Sequence, residues 1–195
     1  LLFAALTGLS AATAVLADKV VIAAGIWSRP LARMLGDRIP LDTERGYNAT
    51  YPKGSFGLTR PIMFEGEGFV TTPLDSGDRV GGAVEFAGLD AKPNHDRTSA
   101  MISRLKRFLP DFDADRDARR WMGFRPSIPD SLPVIGSSRL DNRVVYAFGH
   151  GHYGLTQAAV TSLLVANLID GMTSELDLKP YSAQRFQRNI FVRSA

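Results

Sequence analysis

The sequence predicts a chain of mixed class, α/β in part and α+β in part, and three observations carry that prediction. Lys19 to Ala24 (KVVIAA) is a short β-branched run that ends at Gly25, the pattern of a fully buried strand in a parallel sheet. Arg45 to about Phe86 has another texture: Tyr47, Ala49 and Tyr51 alternate, and short strand-like runs at Phe69 to Thr72 and Arg79 to Phe86 are separated by glycine-rich turns. That stretch predicts an antiparallel meander. Arg143 to Phe148 (RVVYAF) is a second buried strand that runs into Gly149-His150-Gly151-His152-Tyr153-Gly154 and then a long apolar helix.

The remaining elements follow in order. Leu1 to Ala17 carries no charge and is rich in alanine. It lacks the basic leader of a signal peptide and falls short of the ~20 residues needed to span a bilayer. It is expected to be a buried helix or strand pair. Ser28 and Pro30 open a short helical turn that Gly36 stops. Met101, Ile102, Leu105, Phe108 and Leu109 recur at helical spacing, and Pro110 ends that helix. Arg119 to Arg125 alternates, with Arg120, Met122 and Phe124 on one face and Trp121, Gly123 and Arg125 on the other. A turn containing Pro126, Pro129, Asp130 and Pro133 follows. The last helix, Leu155 to Ile169, has Gly171 just past its end and is apolar nearly all round, so it is expected inside the molecule.

Composition narrows the function. The 195 residues are 45% hydrophobic and 22% charged, a globular profile. The formal charge of +3 is scattered, with no basic run longer than Arg119-Arg120, which argues against nucleic acid as a partner. With no cysteine, the chain has no disulfide, thiolate metal site, cysteine nucleophile or thioether-linked cofactor. Three histidines, His95, His150 and His152, are too few for most histidine-rich metal sites, and no metal is expected. No stable membrane insertion is expected; the reading places the protein in the cytoplasm or peripheral to the inner membrane.

Gly149, Gly151 and Gly154 satisfy G-x-G-x-x-G between a strand and a helix, the form of a dinucleotide fingerprint. That motif also needs a second parallel strand ending in an acid, and Thr173 to Pro180 is a polar loop instead. Two readings remain. In one, the glycines admit an electron-rich group to the helix N-terminus at Gly154, Leu155 and Thr156. In the other, they make a tight turn that holds no ligand.

Three ordered motifs resemble the D-amino-acid oxidase and dehydrogenase family of FAD-dependent oxidoreductases. They are Val20 to Ser28 (VVIAAGIWS) with Arg45-Gly46-Tyr47 beyond it, Gly123-Phe124-Arg125-Pro126 followed by Pro133-Val134-Ile135-Gly136, and GHGHYGLT from Gly149 to Thr156. The resemblance covers roughly Asp18 to Gly171. It implies an antiparallel substrate-binding sheet with helices, joined to the C-terminal strands and helix of an FAD-binding domain whose first half is missing. Residues 1–44 would be a remnant of the FAD-binding domain, 45–125 the substrate-binding domain, and 126–195 the return to the FAD-binding domain.

The resemblance also implies roles. Arg125 would hold the substrate carboxylate, for which a guanidinium fork is well suited. Tyr47 and Tyr153 would be pocket walls. Gly25, Trp27 and Ser28 would form part of the flavin-binding wall, and Gly149, Gly151, Gly154, Leu155 and Thr156 would meet non-covalent FAD. His152 departs from the oxidase pattern, which has a glycine next to the substrate; its imidazole would narrow or polarise the pocket. No general base stands out, as suits hydride transfer from a neutral amine. The expected substrate is a D-amino acid or related small amine. Nothing before Lys19 resembles an ADP-binding turn, and the chain begins at Leu1. The expectation is a C-terminal portion of a longer enzyme that binds FAD weakly when alone, with the missing N-terminal half or a partner chain supplying the ADP site. A non-catalytic truncated domain and a subunit of a multi-chain dehydrogenase remain as alternatives.

Overall fold

The computed structural model describes residues 2–4 and 14–186. From the amino end its elements are β1 (Leu2–Ala4), β2 (Ala14–Leu16), β3 (Val20–Ile22), α1 (Ser28–Met34) and β4 (Asp42–Tyr51). Next come β5 (Ile62–Phe64), β6 (Phe69–Leu74), β7 (Gly77–Glu85), α2 (Asp96–Lys106) and β8 (Arg119–Ser127). β9 (Val134–Ser137), β10 (Val144–Phe148) and α3 (Gly154–Asp170) complete the order. The chain falls into two units, Leu1–Asp42 with Pro126–Ala195, and Thr43–Arg125.

In the first unit, β3 pairs in parallel with β10, Val20 opposite Val144 and Ile22 opposite Tyr146, while β9 pairs antiparallel on the other side of β10. β10 is the central strand, and its Val144, Val145, Tyr146 and Phe148 are buried. β3 is the edge. Its β-branched run implied cover on both faces, yet Val21 is 39% exposed, because only one neighbouring strand is present among the described residues. Lys19 donates its ammonium to the carbonyls of Leu168 and Ile169, tying the start of β3 to the last turn of α3. A cation there satisfies carbonyls that the helix itself leaves open and meets the negative end of its dipole. Gly171 follows at φ +69°, and Met172 N–H donates to Asn167 O at 2.8 Å.

α3 lies on β9 and β10 through Leu164 and Val165, which meet Ile135 and Val145. The helix is therefore not interior. Leu155 is 93% exposed, and Val160 and Leu163 are exposed too, because a three-stranded sheet covers only one side of a helix. The leading apolar run also differs from expectation. β1 and β2 form an antiparallel pair, Leu2 opposite Leu16, but Leu16 is 83% exposed. A two-stranded ribbon buries little on its own. Residues 5–13 of that run lie outside the described residues.

The second unit is a five-stranded sheet in the order β5-β6-β7-β4-β8. β5, β6, β7 and β4 pair antiparallel in turn. One face carries Ala49, Tyr51, Phe69 and Val80, against which α2 sets Met101, Ile102 and Leu105. The helix begins at Asp96, five residues before its first core methionine, where Asn94 Oδ1 accepts the Asp96 N–H at 3.2 Å. Tyr51, Phe56 and Phe112 close one end of this core with ring centroids 4.9–5.6 Å apart. Between Tyr47 and Asn48 the register with β7 slips from Ala83 to Gly81. The bulged Gly82 sits at φ +156°, where a Cβ would come within 2.3 Å of Gly68 O. Only glycine fits that bulge.

Asp37 is the polar centre of the first unit. Fully buried, it accepts from Ser138 Oγ at 2.8 Å, Tyr146 Oη at 2.9 Å and the Arg139 N–H at 3.1 Å, all on its Oδ2. Burial, with the Asp37 charge reinforcing it, holds the Tyr146 phenol well above its ordinary value. Asp37→Ala leaves two buried hydroxyls and an amide without their acceptor. It is expected to cost about 2–4 kcal/mol in a denaturant-unfolding experiment, and a loss within error of zero would contradict this role.

Candidate functional site

In the first unit, parallel pairing places the carboxyl ends of β3 and β10 side by side, so the turns that follow them are neighbours. Open α/β sheets bind ligands at such strand ends. After β3, Gly25 takes φ +55° and opens a single 3-10 turn, Gly25–Trp27, that leads into α1. Ser28 is buried, and its hydroxyl accepts the Ala24 N–H at 3.0 Å. It closes the turn instead of facing outward. Trp27 is exposed.

After β10, Gly149 takes φ +85° and Gly151 φ +54°. A Cβ on Gly149 would stand 2.4 Å from Ile128 Cδ1, so that glycine is required twice over. Gly151 N–H donates to Pro126 O at 2.9 Å, and Tyr153 N–H to His150 O at 3.0 Å. These bonds fix the turn from which α3 starts. No side chain caps the helix at Tyr153, and its first intrahelical bond runs from Gln157 N–H to Tyr153 O. The N–H groups of Gly154, Leu155 and Thr156 therefore stand at an uncapped, positively polarised helix end. That arrangement suits an anionic or electron-rich group.

The two histidines of the turn diverge. His152 and Tyr153 are exposed, whereas His150 is half-buried with Nε2 3.0 Å from Thr161 Oγ1. Among the described residues, no three His, Cys, Asp or Glu side chains gather as a metal site.

In the second unit, Arg125 lies flat against Gly46. A Cβ at residue 46 would fall 2.3 Å from both Cζ and Nη2 of Arg125 and 2.4 Å from Nη1. Nη1 is buried without a hydrogen-bond partner among the described residues. Burial draws the guanidinium below its ordinary value, opposed by the charge of Glu44. An arginine nonetheless stays protonated. The site thus offers a held cation with an unused donor edge, the requirement for gripping a carboxylate.

Tyr47 does not line a pocket. It is 1% exposed, its hydroxyl donates to Glu85 Oε2, and Tyr47 Oη in turn accepts the Asn94 N–H at 3.0 Å. Tyr47 alternates onto the core face with Ala49 and Tyr51, and this phenol is spent on internal structure. The Tyr47 bond, assisted by Arg97 and Arg45, holds the Glu85 carboxyl below its ordinary value. Arg45 is likewise structural: fully buried, it donates to the carbonyls of Gly88, Ala91 and Lys92 at 2.7–3.2 Å. Sequence reasoning passed over Gly46 as the seat of Arg125. The available signal was a glycine inside an alternating strand, which marks close approach by another group.

The profile of the FAD dependent oxidoreductase (DAO) family matches residues 4–168. The chain belongs to this family. It is 42% identical over 172 residues to a D-amino-acid oxidase of Bradyrhizobium diazoefficiens, covering 87% of this chain and 41% of that protein. It is 34% identical over 173 residues to a D-amino acid dehydrogenase of Paramagnetospirillum magneticum, covering 87% of this chain and 40% of the relative. The chain thus spans about two-fifths of the length of these family members. Its fold is similar to part of glycine oxidase from Geobacillus kaustophilus, with a TM-score of 0.80 and 22% identity over 91% of this chain and 48% of that one. Among the described residues no helix is long and apolar enough to cross a membrane.

His150 generates a pH prediction. Burial holds its imidazole below the ordinary value, so the unfolded chain takes up the proton first as pH falls. Its contribution is complete above the unfolded value of about 6.5 and is lost as pH drops through and below it. Denaturant unfolding from about pH 7.5 to about pH 5 should show declining stability, and His150→Gln a shallower decline. Parallel curves would contradict the assignment.

Proposed function

We propose that this chain serves the FAD-dependent oxidative deamination of a D-amino acid, with Arg125 holding the substrate carboxylate. The supporting observation is the Arg125 guanidinium, seated on Gly46 with a buried donor left unpaired. Buried charged donors ordinarily have partners, so an unpaired edge on an arginine points to a ligand that supplies the acceptor. Two parallel N–H···O bonds would fix the carboxylate plane and, through it, the direction of the Cα–H bond.

Gly149, Gly151 and the N–H groups of Gly154, Leu155 and Thr156 are the residues that would hold the flavin, with Gly25 and Trp27 beside them. FAD, when bound, supplies the two-electron acceptor. The helix N-terminus favours negative charge, so its N–H groups stabilise an anionic edge more than a neutral one. His152 and Tyr153, exposed on the same turn, would bound the substrate side. A D-configured substrate is supported by the names of the relatives, an oxidase and a dehydrogenase of D-amino acids.

The test is Arg125→Ala in the flavin-loaded enzyme. KM for a D-amino acid should rise about 100-fold or more, while the affinity for FAD changes less than about threefold. Equal losses of both, or loss of neither, would contradict the carboxylate role.

A further inference from the structure

Away from Arg125, three adjacent strands of the second unit enclose a hollow of about 370 Å³ lined by Asn48, Thr50, Arg79, Arg119, Arg120 and Trp121. β7 contributes Arg79, β4 contributes Asn48 and Thr50, and the edge strand β8 contributes the other three. Arg79 stands opposite Thr50 in the ladder and donates from Nε to its Oγ1 at 3.1 Å, which leaves both terminal nitrogens available. Arg120 donates through Nη1 to Ser99 Oγ at 3.0 Å. None of the three guanidinium groups lies in an ion pair with a carboxylate among the described residues.

Arg120 is turned to Ser99 of α2, so Arg79 and Arg119 are the two cations on the face of the hollow, and like charges placed there repel one another unless an anion joins them. The lining holds no acid to do so. Beside them Trp121 is 55% exposed. Its indole is pinned in place, since a Cβ on Gly123 would fall 2.0 Å from Trp121 Cη2. A fixed, half-exposed indole offers a planar apolar face next to the guanidinium forks.

We propose that this hollow binds a small organic polyanion bearing a planar ring, with a nucleoside polyphosphate as the ligand class. Guanidinium forks match phosphate oxygens in pairs, and Trp121 stacks the base. The size of the hollow and the lack of a basic stripe beyond it fit a mononucleotide and not a polymer. This site is separate in composition from the residues assigned to flavin and substrate.

The experiment is calorimetric titration of the flavin-loaded protein, freed of unbound FAD, with ADP, pyrophosphate and adenosine. ADP and pyrophosphate should bind, ADP the tighter, and adenosine should give no heat. Arg79→Gln combined with Arg119→Gln should weaken both anions about tenfold or more. Trp121→Ala should erase the advantage of ADP over pyrophosphate, and Arg60→Gln, at an exposed arginine elsewhere, should change nothing. No heat from either anion at millimolar concentration, unchanged binding in the double variant, or ADP no tighter than pyrophosphate would overturn the proposal. All the substituted residues lie at the surface or rim, and circular dichroism of each variant verifies its fold.

Discussion

The parallel ladder between β3 and β10 joins segments from opposite ends of the chain, Val20 to Val144 and Ile22 to Tyr146, and much of the first unit follows from it. Because the strands run the same way, the Gly25 and Gly149 turns leave from the same end of the sheet. α3 begins where β10 ends, and Lys19, just before β3, closes the carbonyls at the far end of that helix. Asp37 then fastens the return from α1 to Ser138 and Tyr146. The stretch between these strands leaves at Asp42, builds its own sheet, and comes back at Pro126.

In the second unit the governing constraint is electrostatic. Two arginines separated by the length of the sheet sequence show how differently one residue type is used. Arg45 is fully buried and meets three carbonyls and the Glu85 carboxylate, so its charge is neutralised internally. Arg125 rests on a glycine with Nη1 unpaired. A half-buried guanidinium with one buried donor left in that state costs stability, which makes sense when a ligand completes it. The contrast separates a scaffold arginine from a binding one.

Much of the architecture was legible in the sequence, because periodicity reports local structure directly. The runs at Val20 and Val144, the alternation through Tyr47, Ala49 and Tyr51, and the glycines before α3 all appear as strands and turns. What remained hidden depended on partners distant in sequence. Val21 and Leu163 are apolar whether or not something covers them, so pattern alone could not show that one lies on a sheet edge and the other on an open helix face. Tyr47 looked available until the loop carrying Asn94 and the strand carrying Glu85 were seen to claim its hydroxyl. Within the candidate site, the motif singled out Arg125 and the glycine turn, but the pairing of Arg125 with Gly46 is a cross-strand fact. The start of α2 left no apolar signal, because its first turn, from Asp96, carries polar residues and no core contact until Thr98.

The most direct test of the carboxylate role is the affinity of the flavin-loaded enzyme for benzoate, measured by calorimetry with Arg125 and with Arg125→Lys. Lysine keeps the charge and loses the planar fork. If the fork seated on Gly46 grips the carboxylate, affinity falls about 30-fold or more while FAD remains bound. Equal affinities for the two proteins would contradict the account.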